Sequence, residues 1–475
     1  MKRTGVALLA LTLYLGSLAA GAESLQDIYE LALENDAQLK AEEATYLANR
    51  EAERLGLSAL LPQVGANYSR SGSDTETDSE TFIVDEETGI STEAATTSLD
   101  TISEGFQVSL NQALFDLPAW FSFKSGQQLT RQAEATFAGD QQNLIVRVVE
   151  AYLLVLRAQD NLAASKAQER AFERQLEQTQ QRFEVGLIAI TDVYEAQAAY
   201  DLSQVNRIVD ENNVQVALEQ LSVLTGQTHS NLNILKEDFD IKLPEPLDRS
   251  AWVDFALQNN FDLQAAGYAE EAARQNARAS ALEHSFKVSG NYSYSDNETD
   301  GTRTIDPPTQ FNNSPFNSTD GDRWEVRVDV PLYSGGAISS NRRRSAQEFN
   351  AARENRINLN RQTVTATRSL HMSVVSDVAR VAARKQSIVS SKSALDATQA
   401  GYEVGTRNVV DVLNAQNILF SAQRDYANSR YDYIINMMRL KETAGLLSPE
   451  DVIRLDSNLE PPPPPTAKTS GTGSK

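Results

Sequence analysis

Two periodicities alternate along the chain. Long stretches carry apolar residues at strict seven-residue spacing. Val374, Val381, Ile388, Leu395 and Tyr402 form one seam, and Val412, Leu419, Tyr426, Tyr433 and Leu440 form the next. Earlier in the chain Val155, Leu162, Leu176 and Phe183 keep the same spacing, with one polar break at Glu169, and Leu202, Val209, Val216 and Val223 follow. Sustained heptads predict helices that supercoil on partners. Shorter segments alternate with period two instead. Phe106, Val108 and Leu110 oppose Gln107, Ser109 and Asn111, and Trp324, Val326, Val328 and Val330 oppose Glu325, Arg327 and Asp329. Val64, Ala66 and Tyr68 oppose Gly65, Asn67 and Ser69, and Val288, Tyr292 and Tyr294 oppose Ser289, Asn291 and Ser293. Such alternation over about ten residues suits strands with one face in lipid and one in water. It also suits a soluble antiparallel sheet with one wet face.

The pattern is written twice. Phe183-Glu184-Val185-Gly186-Leu187 recurs as Tyr402-Glu403-Val404-Gly405-Thr406, and Thr191-Asp192-Val193 as Val410-Asp411-Val412, all at an offset of 219 residues. Ala32-Leu33-Glu34-Asn35 matches Ala256-Leu257-Gln258-Asn259 at a slightly larger offset. Each repeat is predicted to hold an opening helix, two strands joined by a polar loop, a very long helix, a tight turn and a returning helix. The expected divisions are a leader over 1–22, repeat one over 23–247, repeat two over 248–447, and a C-terminal segment over 448–475, disordered from about 461. From Pro118 to Glu184 the helical pattern is unbroken; at 1.5 Å per residue that is about 100 Å, too long for the inside of a compact domain. Four strands per chain cannot close a membrane barrel, whose minimum is about eight. If they cross a membrane, several chains share one barrel.

Composition narrows the choice. Lys2, Arg3, the apolar run Val6 to Leu18 and Ala20-Gly21-Ala22 read as an export signal. No later stretch is long and apolar enough for a transmembrane helix. With no cysteine there is no disulfide or thiolate metal site. A net charge of −22 and a pI near 4.7 argue against nucleic acid as a partner. The acidic, Ser/Thr-rich stretch from Asp74 through Glu93 is expected to be a solvated loop. His229, His284 and His371 fall in different elements and are expected to be surface or packing residues rather than metal ligands. No nucleophile elbow, P-loop or dinucleotide fingerprint is present. Neither an enzyme nor a cofactor or metal site is therefore expected. Arg342-Arg343-Arg344 opens the second long helix, on a solvated face or against headgroups or a lumen.

At the turns between long and returning helices, Gly186 and Gly405 are placed to end a helix in a left-handed cap. Asp192 with Glu195, and Asn408 with Asp411, fit capping boxes for the returning helices. With Val185-Gly186-Leu187-Ile188-Ala189-Ile190-Thr191-Asp192-Val193 and Val404-Gly405-Thr406-Arg407…Val410-Asp411-Val412-Leu413, the chain resembles the TolC-type outer membrane factor family up to about Asn458. The resemblance implies an α+β membrane protein, internally duplicated. Three chains would form a twelve-stranded β-barrel, four strands from each, continuing into a long periplasmic coiled-coil α-barrel. It implies an exit duct in the outer membrane for multidrug efflux or type I secretion. The duct would be passive, opened at its tip by a periplasmic adaptor (membrane fusion) protein with an RND, ABC or MFS pump. Thr191, Asp192, Tyr402 and Arg407 would be polar links that hold the tip shut. Asp411 would form an acidic ring at the pore constriction, with Asn414 where the family carries a second aspartate. Gly186 and Gly405 would lie where the adaptor grips. The rival expectation is a periplasmic coiled-coil adaptor or scaffold without a membrane barrel.

Overall fold

The computed structural model describes residues 22–85, 89–306 and 314–463. The expected leader over 1–22 lies outside these residues except for Ala22, as does the tail from 464 on. The chain opens with α1 (Leu25–Asn35), α2 (Ala37–Arg50) and α3 (Ala52–Ser58). Strands β1 (Gln63–Asp85) and β2 (Gly89–Phe115) follow, then the long α4 (Leu117–Glu184), the returning α5 (Ile190–Thr225) and the short β3 (Ile234–Leu235). The order recurs as α6 (Arg249–Asn259), α7 (Phe261–Ala281), β4 (Lys287–Asp306), β5 (Phe316–Asp329), α8 (Ala337–Glu403) and α9 (Val409–Thr443). The chain closes with α10 (Pro449–Asp456) and β6 (Leu459–Glu460), which pairs with β3. Two compact units divide the chain, and each takes pieces of both repeats: one spans 47–134 and 265–357, and the other holds the rest.

The first of these units carries the four long strands, β1, β2, β4 and β5. They form one antiparallel sheet in the order β1-β2-β4-β5, so the outer edges of β1 and β5 have no neighbour among the described residues. Register places Val64, Leu110, Tyr292 and Trp324 in one row across all four strands. All four are exposed, Trp324 by 75%. The opposite face of the sheet carries Asn111, Asn291, Glu325 and Arg327, around an open polar hollow.

The strands are far longer than the alternation of apolar residues suggested. β1 and β2 pair continuously from Gln63↔Asn111 to Asp85↔Gly89. The acidic stretch from Asp74 is therefore strand and not loop, apart from residues 86–88, which lie outside the described residues. The physical reason is visible in the residues. Asp74, Glu76, Asp78 and Glu80 share one face, and Ser73, Thr75, Thr77 and Ser79 the other. Period two is kept, with acid in place of apolar residues, and the hairpin ladder satisfies the backbone that a loop would leave to water. Thr96 Oγ1 donates to Asp78 Oδ1 across the pair at 2.7 Å.

The other unit holds the core. Tyr152, Leu25, Ile28, Leu144, Leu221 and Leu440 are fully buried in one cluster drawn from α1, α4, α5 and α9. The seam of α9 is buried at Val412, Tyr433 and Leu440, but that of α5 is open, with Leu202, Val209, Val216 and Val223 47–76% exposed. The helix pairs that open each repeat break alike. Asp36, between α1 and α2, accepts from the Gln38 N–H at 2.7 Å, and Asn260, between α6 and α7, accepts from the Leu263 N–H at 2.9 Å. Each residue ends one helix in an extended conformation and caps the next. No helix among the described residues is long and apolar enough to cross a membrane.

A polar cavity of about 400 Å³ lies in this unit, lined by Asp140, Asn143, Asp262, Gln362, Thr363 and Glu442. Burial, then the carboxylates of Glu42 and Asp262, push Asp140 up to about 6 against the pull of Arg147. Burial, Glu150 and Asp262 also raise Glu442, opposed by its hydrogen bond from Asn143 and by Arg439. A carboxyl whose folded pKa is raised destabilises the fold where it is ionised and stops doing so as it takes up a proton. The unfolding midpoint is thus expected to rise as pH falls from 8 through 6. Asp140→Asn should raise the midpoint at pH 8 and flatten this slope, which thermal melts across the pH range would read.

Candidate functional site

The hairpin tips are built by two matching helix ends. At the end of α4 the Gly186 N–H donates to Phe183 O at 2.8 Å and the Leu187 N–H to Arg182 O at 2.9 Å. At the end of α8 the Gly405 N–H donates to Tyr402 O at 3.2 Å and the Thr406 N–H to Gly401 O at 2.8 Å. This bond pair requires a left-handed residue just past the helix. Gly186 and Gly405 supply it, with φ of 76° and 78°. The knuckles they make expose Val185, Leu187 and Val404 by 70–76%.

The returning helices start differently from each other. α9 begins as expected at its cap: Asn408 Oδ1 accepts the Asp411 N–H at 2.9 Å, although no reciprocal bond from the Asp411 carboxylate forms. The box expected of Asp192 and Glu195 does not form. α5 starts earlier, with Ala189 as its cap residue and no side-chain bond there. Asp192 instead lies inside the first turn, where a carboxylate suits the positive helix end without capping it.

The structure brings together some of the predicted site residues. Arg407, just before α9, and Asp411, in its first turn, pair at 3.7 Å, the arginine exposed and the aspartate half-buried, a contact of little energy on its own. Tyr402 is 4% exposed in a cluster with Phe172, Val409, Val412 and Leu413. Its hydroxyl has no hydrogen-bond partner among the described residues. Thr191 and Asp192 have no side-chain partner among the described residues, and Asn414 is exposed. Sequence reading missed Arg182. Its guanidinium carbon lies 4.4 Å from the Tyr402 ring centroid, and Nη1 donates to the Tyr402 carbonyl at 3.3 Å. At the 219-residue offset Arg182 faces Gly401, a difference between the repeats that does not point to Tyr402.

The three histidines stay apart. His229 is buried with Nδ1 2.7 Å from Glu23 and Nε2 2.6 Å from Thr225. His371 is buried in α8, and His284 Nδ1 lies 3.0 Å from the Pro331 carbonyl. Among the described residues no group of side chains could hold a metal ion.

Residues 28–227 and 252–446 match the outer membrane efflux protein family. The chain belongs to that family. The outer membrane protein TolC of Vibrio cholerae is 34% identical over 453 residues, 94% of this chain and 95% of the relative. TolC of Escherichia coli is 32% identical over 468 residues, 97% of this chain and 90% of its own. The alkaline protease secretion protein AprF of Pseudomonas aeruginosa is 28% identical over 442 residues, 93% and 88% of the two chains. Among solved structures, CusC superposes with a TM-score of 0.70 at 16% identity, covering 89% of this chain and 92% of its own. The Campylobacter jejuni outer membrane channel CmeC gives 0.70 at 15%, covering 92% and 90%. This family member is an outer membrane exit duct with a periplasmic helical extension. The family is one of channels, not enzymes. The adaptor alternative is not favoured, since the match runs through both strand pairs and both hairpins.

Proposed function

We propose that three copies of this chain close a twelve-stranded barrel and a periplasmic helical tube, through which drugs or type I secreted proteins leave the cell. The observation that carries this reading is the open sheet. Its two end strands have no neighbour at their outer edges among the described residues, and its apolar face is exposed. In a bilayer no edge is tolerated, and four strands are too few to remove it. The uncovered seam of α5 also supports assembly with further copies, since an apolar helix face of that length needs a partner. Secretion as well as efflux is supported by AprF, named for protease secretion, and by TolC as relatives. Opening falls to a periplasmic adaptor gripping the knuckles at Gly186 and Gly405, with an inner-membrane RND, ABC or MFS pump supplying energy.

Thr191, Asp192, Tyr402 and Arg407 hold the tip shut in this reading. The lack of side-chain partners for Thr191 and Asp192 among the described residues suits links made to a neighbouring copy, whereas the Tyr402 hydroxyl is buried within its own chain. Asp411 places one carboxylate per chain at the constriction, and the neutral Asn414 one turn later leaves the ring single. Unheated outer membrane extracts are expected to run as a detergent-resistant trimer; a soluble monomer would end the proposal. Reconstituted channels are expected to prefer cations, and Asp411→Ala to lose most of that preference. An unchanged reversal potential under a KCl gradient would remove the charge ring from the account.

A further inference from the structure

We propose that Arg182 is a further latch of the closed tip, clasping the Tyr402 ring and thereby tying the two hairpins of one chain together. The inference rests on the reading of these tips as a gate. None of the four polar links implied by the family resemblance includes this residue.

The geometry is that of a cation seated on an aromatic face. The guanidinium carbon is 4.4 Å from the ring centroid, and Nη1 also reaches the Tyr402 carbonyl at 3.3 Å. The ring cannot turn away, because Phe172, Val409, Val412 and Leu413 hold it in a buried cluster. A fixed ring face and a backbone carbonyl together form a preorganised site for a planar cation with several donors. The contact runs from the last turn of α4 to the last turn of α8. Among the described residues, the next hydrogen bonds between the two hairpins are those of Gln168 with Asn417 and Arg424. They lie about 20 Å up the helix. Below that level the hairpins are joined by apolar contact and by Arg182.

A simpler role for Arg182 is to complement the negative end of α4, since it is the basic residue of that helix's last turn. The second repeat argues against this as the whole reason. α8 ends in the same bond pattern with no basic residue in its last turn and with Gly401 at the matching position. A Cβ on Gly401 would stand 2.8 Å from Arg407 Cγ, so the missing side chain makes room for the other tip arginine. The two repeats thus carry one arginine each at the tip, at non-equivalent positions. Arg182 lies on the Tyr402 ring, and Arg407 lies along the turn beside Asp411.

The test is single-channel recording of the full-length protein in planar bilayers, with Arg407→Ser as a control for the gate itself. Arg182→Met keeps the stem and removes the cation. It is expected to raise the time spent in high-conductance states about tenfold, the scale of one partly buried cation–π contact with a charged hydrogen bond. Arg182→Lys restores a cation over the ring and should recover much of the closure, which a packing role would not require. Arg182→Met combined with Tyr402→Leu should open the channel by less than the product of the two single effects, because the two substitutions share one contact. The latch is overturned if Arg182→Met stays closed while Arg407→Ser opens, or if Arg182→Lys opens as far as Arg182→Met. If Arg407→Ser and Arg182→Met are both silent, the gate reading falls with it.

Discussion

Gly445→Ala is expected to abolish assembly of the duct, whereas Gly226→Ala, its counterpart in the first repeat, should lower stability modestly. The two glycines occupy the same place in the duplicated plan, just past the returning helix and against the end of the repeat's opening helix. Their φ angles are 68° and 69°, so alanine at either is strained by about 1–2 kcal/mol. Their surroundings differ. A Cβ at Gly226 would meet Asn35 Cβ at 3.8 Å, an ordinary contact. At Gly445 it would stand 2.2 Å from the Asn259 carbonyl oxygen and 2.4 Å from its carbon. Those atoms are backbone at the end of α6 and cannot rotate aside. α9 is also committed to this ending, because Gly445 N–H donates to Glu442 O and Leu446 N–H to Lys441 O, each at 2.8 Å. Relief requires α6 or the cap to move, adding about 1–3 kcal/mol or more, a large share of the roughly 5–15 kcal/mol that holds a typical fold. The yield of unheated trimer and the thermal midpoint of what remains would decide this. Equal behaviour of the two variants would show that the end of α6 yields freely.

That contrast also marks how far a sequence can be read. The glycines of both turns were legible because a left-handed helix cap leaves few alternatives, and Gly186 and Gly405 sit where the heptads stop. The start of α4 was legible for a related reason. Pro118 tolerates a first turn, and Asp116 accepts the Ala119 N–H at 2.9 Å. Capping at the start of α5 was misread because Asp and Glu suit the first turn of a helix as well as its cap, so Asp192 and Glu195 signal a helix start to within a turn and no better. The strands beyond the apolar band were misread because solvation was equated with loop. Alternating Thr and Glu have the period of a strand, but without apolar residues nothing in composition distinguishes a wet strand from a wet loop. Arg182 was invisible for a third reason. Its partner is 220 residues away, and a cation on a ring face leaves no spacing pattern in either helix.

Leu110→Arg is expected to block insertion, while Ser109→Arg next to it and Ile102→Arg further along the same strand should be tolerated. Leu110 sits in the apolar row with Val64, Tyr292 and Trp324. In a closed barrel that row faces lipid, where arginine near the midplane costs about 2–4 kcal/mol and near the interfaces about 0–1. Ser109 pairs with Gly65 and Ser293 on the opposite, polar face, where a long charged side chain can reach water. Ile102 has the parity of Leu110, but its row runs through Gly72 and Asp300 to Phe316, beyond the continuous apolar band. The comparison therefore separates face from depth. A barrel in lipid predicts a penalty that depends on both, large at Leu110 and small at the other two positions. A sheet whose apolar face packs on protein has no reason to relent along the strand, so Ile102→Arg would then fail like Leu110→Arg. The trimer recovered from outer membranes, normalised to total chain, distinguishes these outcomes. Normal assembly of Leu110→Arg would mean that this row does not face lipid.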